Sequence, residues 1–197
     1  EHNNANIIAF GARIVGIEKA KDIVKRISEL SKKNSSDSLT IIDIDTLCSK
    51  VLLMLNPAKP ENVEIKTNYA TYGYKTKANE TQMTQVLMNI IINGFHAMSE
   101  KGGTLTVSTS ISVNSMISIS IKDTGTGIPS DVISHIFDPF FTTKEAGKGT
   151  GLGLAIVKNI IDELNGKIEI HSQEGKGTEF IVKLRIYDER LDEEKIE

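Results

Sequence analysis

Two asparagines, Asn89 and Asn93, interrupt a run of isoleucines in "NIIINGFHAM", residues 89–98. Asparagine is a poor helix-interior residue, because its amide competes for backbone hydrogen bonds. At i and i+4 on a helix the two side chains project from one face. A solvent-facing polar stripe accounts for them. So does a pair of amides turned toward a ligand, with an amide oxygen coordinating a hard cation. Mg²⁺ favours oxygen donors and keeps waters and substrate phosphates in its shell.

Three further stretches carry residue types suited to chemistry. "IKDTGTGIP" places Asp123 at the end of a strand, followed by Gly125 and Gly127. This is either a glycine turn with an Asx cap or a buried carboxylate that accepts a hydrogen bond from an exocyclic amine. In the second case the glycines let a ring approach the backbone. "GKGTGLGLAI" sets Gly147, Gly149, Gly151 and Gly153 ahead of a helix. A helix N-terminus offers unpaired N–H groups and a dipole favourable to phosphate. The spacing is neither the dinucleotide G-x-G-x-x-G nor the P-loop pattern, which leaves a phosphate cradle of another kind or a flexible hinge. Between these lies "IFDPFFTTK", with Phe137, Phe140 and Phe141, half of the six phenylalanines in the chain. It reads as an apolar plug under a loop or as a lid hinge, with Lys144 near phosphates.

The elements that must position these residues follow from periodicity. Ile17, Ala20, Val24, Ile27 and Leu30 predict an amphipathic helix over 16–33. "KKNSSDS" then breaks the pattern as a linker. "LTIID" is a short strand. "DTLCSKVLLMLNPAK" is a helix with Asp45 as its N-cap and Pro57 near its end. "NVEIKTNYA" alternates as a half-buried strand does. A strong helix covers 79–99, with Met83, Val86, Leu87, Ile90, Ile91 and Met98 on a broad face. "TLTVSTSISV" and "MISISIKD" are strands joined at Asn114-Ser115. A short helix is expected near 130–136 and a glycine-opened one over 150–165. "GKIEIHSQE" and "TEFIVKLRIY" form a last antiparallel pair, turning at Gly175 and Gly177. "DERLDEEKIE" is an acidic tail.

Mixed helices and strands that end in hairpins predict an α+β fold, with helices on one face of a mixed sheet. The net charge of −3 gives a nucleic-acid partner no electrostatic support. One cysteine, Cys48, permits no internal disulfide and suits a reducing compartment. No apolar run approaches the ~20 residues that span a membrane.

In this order, "NIIINGFHAM", "DTGTGI", "FDPFFTTK" and "GTGLGLAI" resemble the N box, first glycine box, F box and second glycine box of the histidine kinase ATP-binding domain. That domain belongs to the GHKL superfamily, shared with DNA gyrase, a large heat-shock chaperone and the mismatch-repair ATPases. The resemblance covers roughly residues 38–187. It implies a Bergerat-type fold: a two-layer sandwich of a mixed, largely antiparallel sheet covered on one face by helices. It divides the chain into 1–35, part of a dimerisation and histidine-phosphotransfer hairpin; 36–187, the ATP-binding catalytic domain; and 188–197, the tail. It implies ATP and Mg²⁺, with Asn93 ligating the metal and Asn89 facing the same phosphates. Asp123 would read the adenine amino group beside Gly125 and Gly127. Gly149, Thr150, Gly151, Leu152 and Gly153 would line the lid over the phosphates, and His96 and Lys144 would reach phosphate. The sequence departs from the family at Thr124, where the kinases usually carry Asn.

The resemblance also implies the reaction. Hydrolysing relatives carry a Glu at the place of Asn89, where it activates water, and Asn cannot act as a base at neutral pH. Such a site holds ATP and passes its γ-phosphoryl group to a separate nucleophile, which needs mainly positioning and charge neutralisation. "EHNNANIIAF" resembles the remains of the acceptor motif, His-acidic-x-x-Asn/Thr. In one register His2 is the acceptor. In the other, the acceptor precedes residue 1, Glu1 is the acidic residue and Asn4 the later amide. Residues 16–33 resemble the second hairpin helix and 3–15 a clipped first one.

The expected protein is a two-component histidine kinase, homodimeric through its hairpin and serving the receiver domain of a response regulator. It would be cytoplasmic, or the cytosolic part of a membrane-bound sensor. The alternatives are an ATP-hydrolysing GHKL machine, an anti-sigma-type serine kinase and a degenerate binding module.

Overall fold

A computed structural model describes residues 38–112, 115–143 and 149–188. The expected hairpin over 1–35 and its His2, the residues Lys144 and Gly147, and all of the acidic tail but Asp188 lie outside the described residues.

The chain opens with β1 (Thr40–Ile42), whose third residue is buried. Helix α1 (Ile44–Leu55) follows at once. Its N-cap is Asp43, not Asp45: Asp43 is extended, and its carboxylate accepts the Thr46 N–H at 2.9 Å. Asp45 lies in the first turn, and its carboxylate is taken by two buried threonines. Oδ2 accepts the Thr71 hydroxyl at 2.7 Å and Oδ1 the Thr109 hydroxyl at 2.6 Å. The buried face of α1 also carries Cys48, whose thiol is pushed up to about 12 by burial and by nearby Asp45, which keeps it unreactive.

After β2 (Val63–Asn68) comes a strand the alternation did not predict, β3 (Thr76–Ala78), which pairs antiparallel with β1. Three residues are too few to show a period. Helix α2 (Glu80–Ala97) is capped by Asn79 and buries Met83, Val86, Leu87, Ile90 and Ile91. Two long strands, β4 (Gly103–Ser112) and β5 (Met116–Asp123), alternate buried and less buried residues as expected. The short helix expected near 130–136 is one 3₁₀ turn at Ile133–His135. Helix α3 (Gly153–Glu163) starts at the last glycine of its cluster. Strands β6 (Lys167–Gln173) and β7 (Gly177–Arg185) complete the set.

The main sheet has the order β2-β4-β5-β7-β6. β2 and β4 run parallel and the other neighbours antiparallel. One face is apolar: Leu105, Val107, Ile117, Ile119, Ile121, Val182 and Leu184 are buried in one cluster with the inner faces of the three helices. The opposite face presents Thr106, Ser108, Ser118, Ser120 and Lys183, none of them buried. This is the mixed sheet with helices on one face that the pattern predicted, largely antiparallel as the resemblance implies.

Candidate functional site

The site forms where the C-terminal half of α2 meets two loops. Helix α2 packs so closely on the sheet that Gly94 is required: a Cβ there would stand 2.8 Å from Leu105 Cδ1 and 3.5 Å from Asp123 Cβ. The space is set by the side chains of Leu105 and Asp123, and the close approach brings the helix of Asn89 and Asn93 over the end of β5.

Asp123 is the last residue of β5 and is 5% exposed. Its Oδ1 accepts the Gly125 N–H at 2.8 Å and the Thr178 N–H at 3.3 Å. Burial raises its pKa, against those two amides, which lower it. The loop after it wraps the end of α2. Thr126 N–H donates to the Ala97 carbonyl at 3.2 Å. A Cβ on Gly125 would meet that same carbonyl at 2.6 Å. The loop is also held from the β6–β7 turn: a Cβ on Gly127, at φ +68°, would stand 2.1 Å from the Gln173 carbonyl oxygen. Both glycines are therefore needed for close backbone approach, with or without a ring beside them.

Asn89 lies on the other side of α2, against the start of α3. A Cβ on Gly153 would be 3.4 Å from Asn89 Oδ1. Asn89 Nδ2 is buried without a hydrogen-bond partner among the described residues. An unpaired buried donor costs about 1–3 kcal/mol, so its position against a helix N-terminus is informative. Helix α3 has no side-chain cap; Leu152 stands at the cap position. Its first N–H groups therefore have no side-chain acceptor of the usual kind. Asn93 is half-buried one turn after Asn89, and His96 is exposed in the last turn of α2.

The phenylalanine stretch closes the fourth side. Phe140 N–H donates to the Gly151 carbonyl at 2.9 Å. Phe140 is 55% exposed with φ +67°, while Phe137 and Phe141 pack against the core. A Cβ on Gly151, at φ +65°, would stand 2.3 Å from the Phe140 carbonyl carbon. Two of the rings thus anchor the stretch on the core, and the backbone of the third is hydrogen-bonded to Gly151.

The four sequence segments therefore meet through named contacts: Gly94 with Asp123, Ala97 with Gly125, Asn89 with Gly153, and Phe140 with Gly151. Gly149, Thr150 and Gly151 lead into α3. The Leu152 side chain is fully buried in the core. Thr124, the departure from the family pattern, has a structural task, since its hydroxyl accepts the Thr104 N–H at 2.9 Å. Residues that sequence reasoning missed include Thr178, the second amide on Asp123, and Gly177. Their separation from Asp123 in the chain gave no signal. Only the strand order, with β7 beside β5, puts them there.

Comparisons with known proteins converge on this region. The family model described as histidine kinase-, DNA gyrase B-, and HSP90-like ATPase matches residues 78–188. The sensor histidine kinase ZraS of Escherichia coli is 33% identical over 97% of this chain and 39% of its own length. Among solved structures, full-length ShkA in complex with AMPPNP superposes with a TM-score of 0.72 at 26% identity, over 84% of this chain and 35% of that one. Histidine kinase ThkA in complex with response regulator protein TrrA gives 0.70 at 25% identity, over 87% and 48%. The chain spans well under half the length of the curated relatives it matches.

Proposed function

This chain belongs to the histidine kinase-, DNA gyrase B-, and HSP90-like ATPase family, and from that premise we propose that it is the ATP-binding core of a sensor histidine kinase. The observation that carries the reading is the buried Asn89 Nδ2, without a partner among the described residues, on a side chain whose Oδ1 faces Gly153 at the start of α3. A buried donor beside uncapped helix N–H groups suits the oxygens of a phosphate chain.

In this reading Asp123 accepts the adenine amino group through Oδ2, since Oδ1 already takes two main-chain amides. Gly125 and Gly127 keep the backbone low beside the base. The phosphates lie between Asn89, Asn93 and the α3 N-terminus, with Gly149, Thr150, Gly151 and Gly153 along the loop. His96, exposed in the last turn of α2, and Lys144 are the further residues assigned to them. The Asn93 amide oxygen is a hard ligand of the kind Mg²⁺ takes, and Asn89 stands on the same helix face; the pair fits that ion. Bound there, Mg²⁺ neutralises charge on the phosphates.

No base stands at Asn89, because an amide cannot take a proton from water at neutral pH. Hydrolysis is therefore slow, and the γ-phosphoryl group awaits an acceptor. An imidazole nitrogen attacks the γ-phosphorus, the P–N bond forms, the bond to the ADP oxygen breaks, and the ring proton passes to solvent. The acceptor is His2 or a histidine preceding residue 1, and the phosphoryl group then passes to an Asp of a response regulator. ThkA is known in complex with such a regulator. The working form is a homodimer joined by the helices that include 16–33, on the cytoplasmic side.

Incubation with Mg²⁺ and γ-labelled ATP tests this. Acid-labile, base-stable label on a histidine is expected wherever the acceptor is present. If the acceptor lies outside this chain, ATP binds and little free phosphate appears. Rapid phosphate release that Asn93→Ala abolishes would overturn the kinase reading in favour of an ATP-hydrolysing machine.

A further inference from the structure

The loop that follows Asp123 is clamped from the β6–β7 hairpin at three successive places. Gly175 N–H donates to the Thr126 carbonyl at 2.7 Å. Gly127 lies against the Gln173 carbonyl. Ile128 N–H donates to the Ser172 hydroxyl at 2.8 Å, across 44 residues of chain. Of these three, only the last runs through a side chain.

Ser172 stands opposite Thr178 in the β6–β7 register. Its Oγ lies 3.1 Å from the Gly177 carbonyl oxygen and 2.9 Å from Thr178 Oγ1. A hydroxyl has one proton and two lone pairs. With the proton on the Gly177 carbonyl and the lone pairs facing the Ile128 N–H and the Thr178 hydroxyl, all three contacts are hydrogen bonds. The capacity of Ser172 is then full.

These bonds close a ring around the site. Thr178 N–H holds Asp123 Oδ1 from β7 at 3.3 Å, and Gly125 N–H holds the same oxygen from the loop at 2.8 Å. Ser172 joins the two holders, because it bonds Thr178 on one side and the Ile128 end of the loop on the other. Asp123 is 5% exposed, so the two amides rather than water set the direction of its carboxylate.

That direction decides which base fits. Adenine offers an amino group where guanine carries a carbonyl oxygen. Guanine instead offers an N–H and an amino group side by side, a pair that suits both oxygens of one carboxylate. With Oδ1 taken by two amides, Asp123 presents one acceptor, Oδ2.

We propose, resting on the reading of Asp123 as the adenine acceptor, that Ser172 is a positioning residue that sets base selectivity. It ties the loop to Thr178, keeps both amides on Asp123 Oδ1 and so holds the carboxylate to one acceptor. Without the hydroxyl, the Ile128 end of the loop parts from the hairpin, and Oδ1 is no longer held from both sides. The carboxylate then turns, and both of its oxygens can face a base. Adenine loses a fixed partner, and guanine gains a second bond. Ser172 acts through Thr178 and the loop, not by contact with the nucleotide.

Titration calorimetry with ADP and with GDP, each with Mg²⁺, tests this. Ser172→Ala is expected to weaken ADP about 10-fold and to leave GDP unchanged or tighter, so that the preference for ADP falls by about that factor or more. A residue that only supports the hairpin would weaken both alike, since the two ligands share sugar and phosphates. Ser172→Thr keeps the hydroxyl on a β-branched frame that a strand accepts and is expected to restore the preference. Ser172→Cys keeps nearly the same volume with weaker hydrogen bonds, and it gives the same reading should Ser172→Ala not fold. Far-UV circular dichroism at the titration temperature shows which variants are folded. A parent chain that binds ADP no better than GDP overturns the adenine reading, and the role of Ser172 with it. A parent that prefers ADP, beside folded Ala and Cys variants with the same preference, overturns the role of Ser172 alone.

Discussion

Asn89 on α2 and Gly153 at the start of α3 are in contact distance: the Asn89 Oδ1 atom lies 3.4 Å from the place a Gly153 Cβ would occupy. Two segments more than 60 residues apart in the chain thereby share one small space, and the amide facing it has an unpaired buried nitrogen. A donor kept buried without a partner lowers stability, and a bound acceptor recovers the loss.

Asn89→Leu separates the two effects, because it replaces the amide by an apolar group of similar shape. Removing an unsatisfied buried donor in this way is about neutral, or stabilising by ~1 kcal/mol. Thermal unfolding without nucleotide is therefore expected to be unchanged or higher. The rise in melting temperature on adding Mg-ATP is expected to shrink or vanish. A variant that melts early but keeps the full nucleotide shift would make Asn89 a packing residue.

Asp123 gives a pH dependence with two opposite signs. Burial raises its pKa above the ordinary 3.8, so between 3.8 and the raised value the folded chain holds a proton that the unfolded chain has lost. Stability from this group is then greatest at low pH and declines as pH rises through that window. The adenine amino group donates to the ionised form, so nucleotide affinity instead rises with pH across the same range. Asp123→Asn abolishes both slopes, and it weakens binding by roughly 10–100-fold if a charge-assisted bond of about 1.5–3 kcal/mol is lost. Titration calorimetry and urea unfolding at several pH values read the two trends. An affinity that keeps its slope in the Asn variant would move the adenine contact elsewhere.

Much of this site was legible because its chemistry is written in contiguous segments. Asn89 and Asn93 declare themselves by breaking an isoleucine run, and Asp123 by ending a strand ahead of two glycines. The sheet came from alternation in β4 and β5. What remained hidden depends on contacts between distant residues. Thr178 reaches Asp123 only because β7 lies beside β5, and no local pattern fixes that order. The N-cap of α1 was misplaced by two positions because Asp43 and Asp45 have equal propensity. Two threonines far along the chain, Thr71 and Thr109, decide which aspartate turns inward. The burial of Leu152 between two glycines was likewise hidden, because no local pattern says which apolar side chain ahead of a helix enters the core.

Two glycines in one turn make a matched pair. Gly175 and Gly177 both have positive φ, +77° and +110°, yet a Cβ on Gly175 would meet nothing within 4 Å, while one on Gly177 would stand 2.0 Å from the Asp123 carbonyl oxygen. Gly175→Ala therefore incurs only the left-handed conformation, about 1–2 kcal/mol. Gly177→Ala must also push the β6–β7 turn away from Asp123 and disturb the Thr178 amide bound to it. Urea midpoints are expected to fall further for Gly177→Ala, and only that variant should lose nucleotide affinity at a temperature where both are folded. Equal losses would mean that the turn, not the approach to Asp123, sets the requirement.

Asp45 ties three elements with one carboxylate: its own helix α1, the turn at Thr71 and strand β4 through Thr109. Asp45→Ala strands two threonine hydroxyls, Thr71 fully buried and Thr109 3% exposed. At about 1–3 kcal/mol for each unsatisfied group, the loss approaches the whole stability of a marginal domain. Asp45→Asn keeps one acceptor oxygen and gives back part of that loss. The order of urea midpoints is expected to be parent, then Asn, then Ala. Nucleotide affinity in the folded Asn variant should match the parent, because the cluster lies at the opposite end of the strands from Asp123. An Asn variant that is folded yet binds nucleotide poorly would show that the two ends of the sheet are coupled.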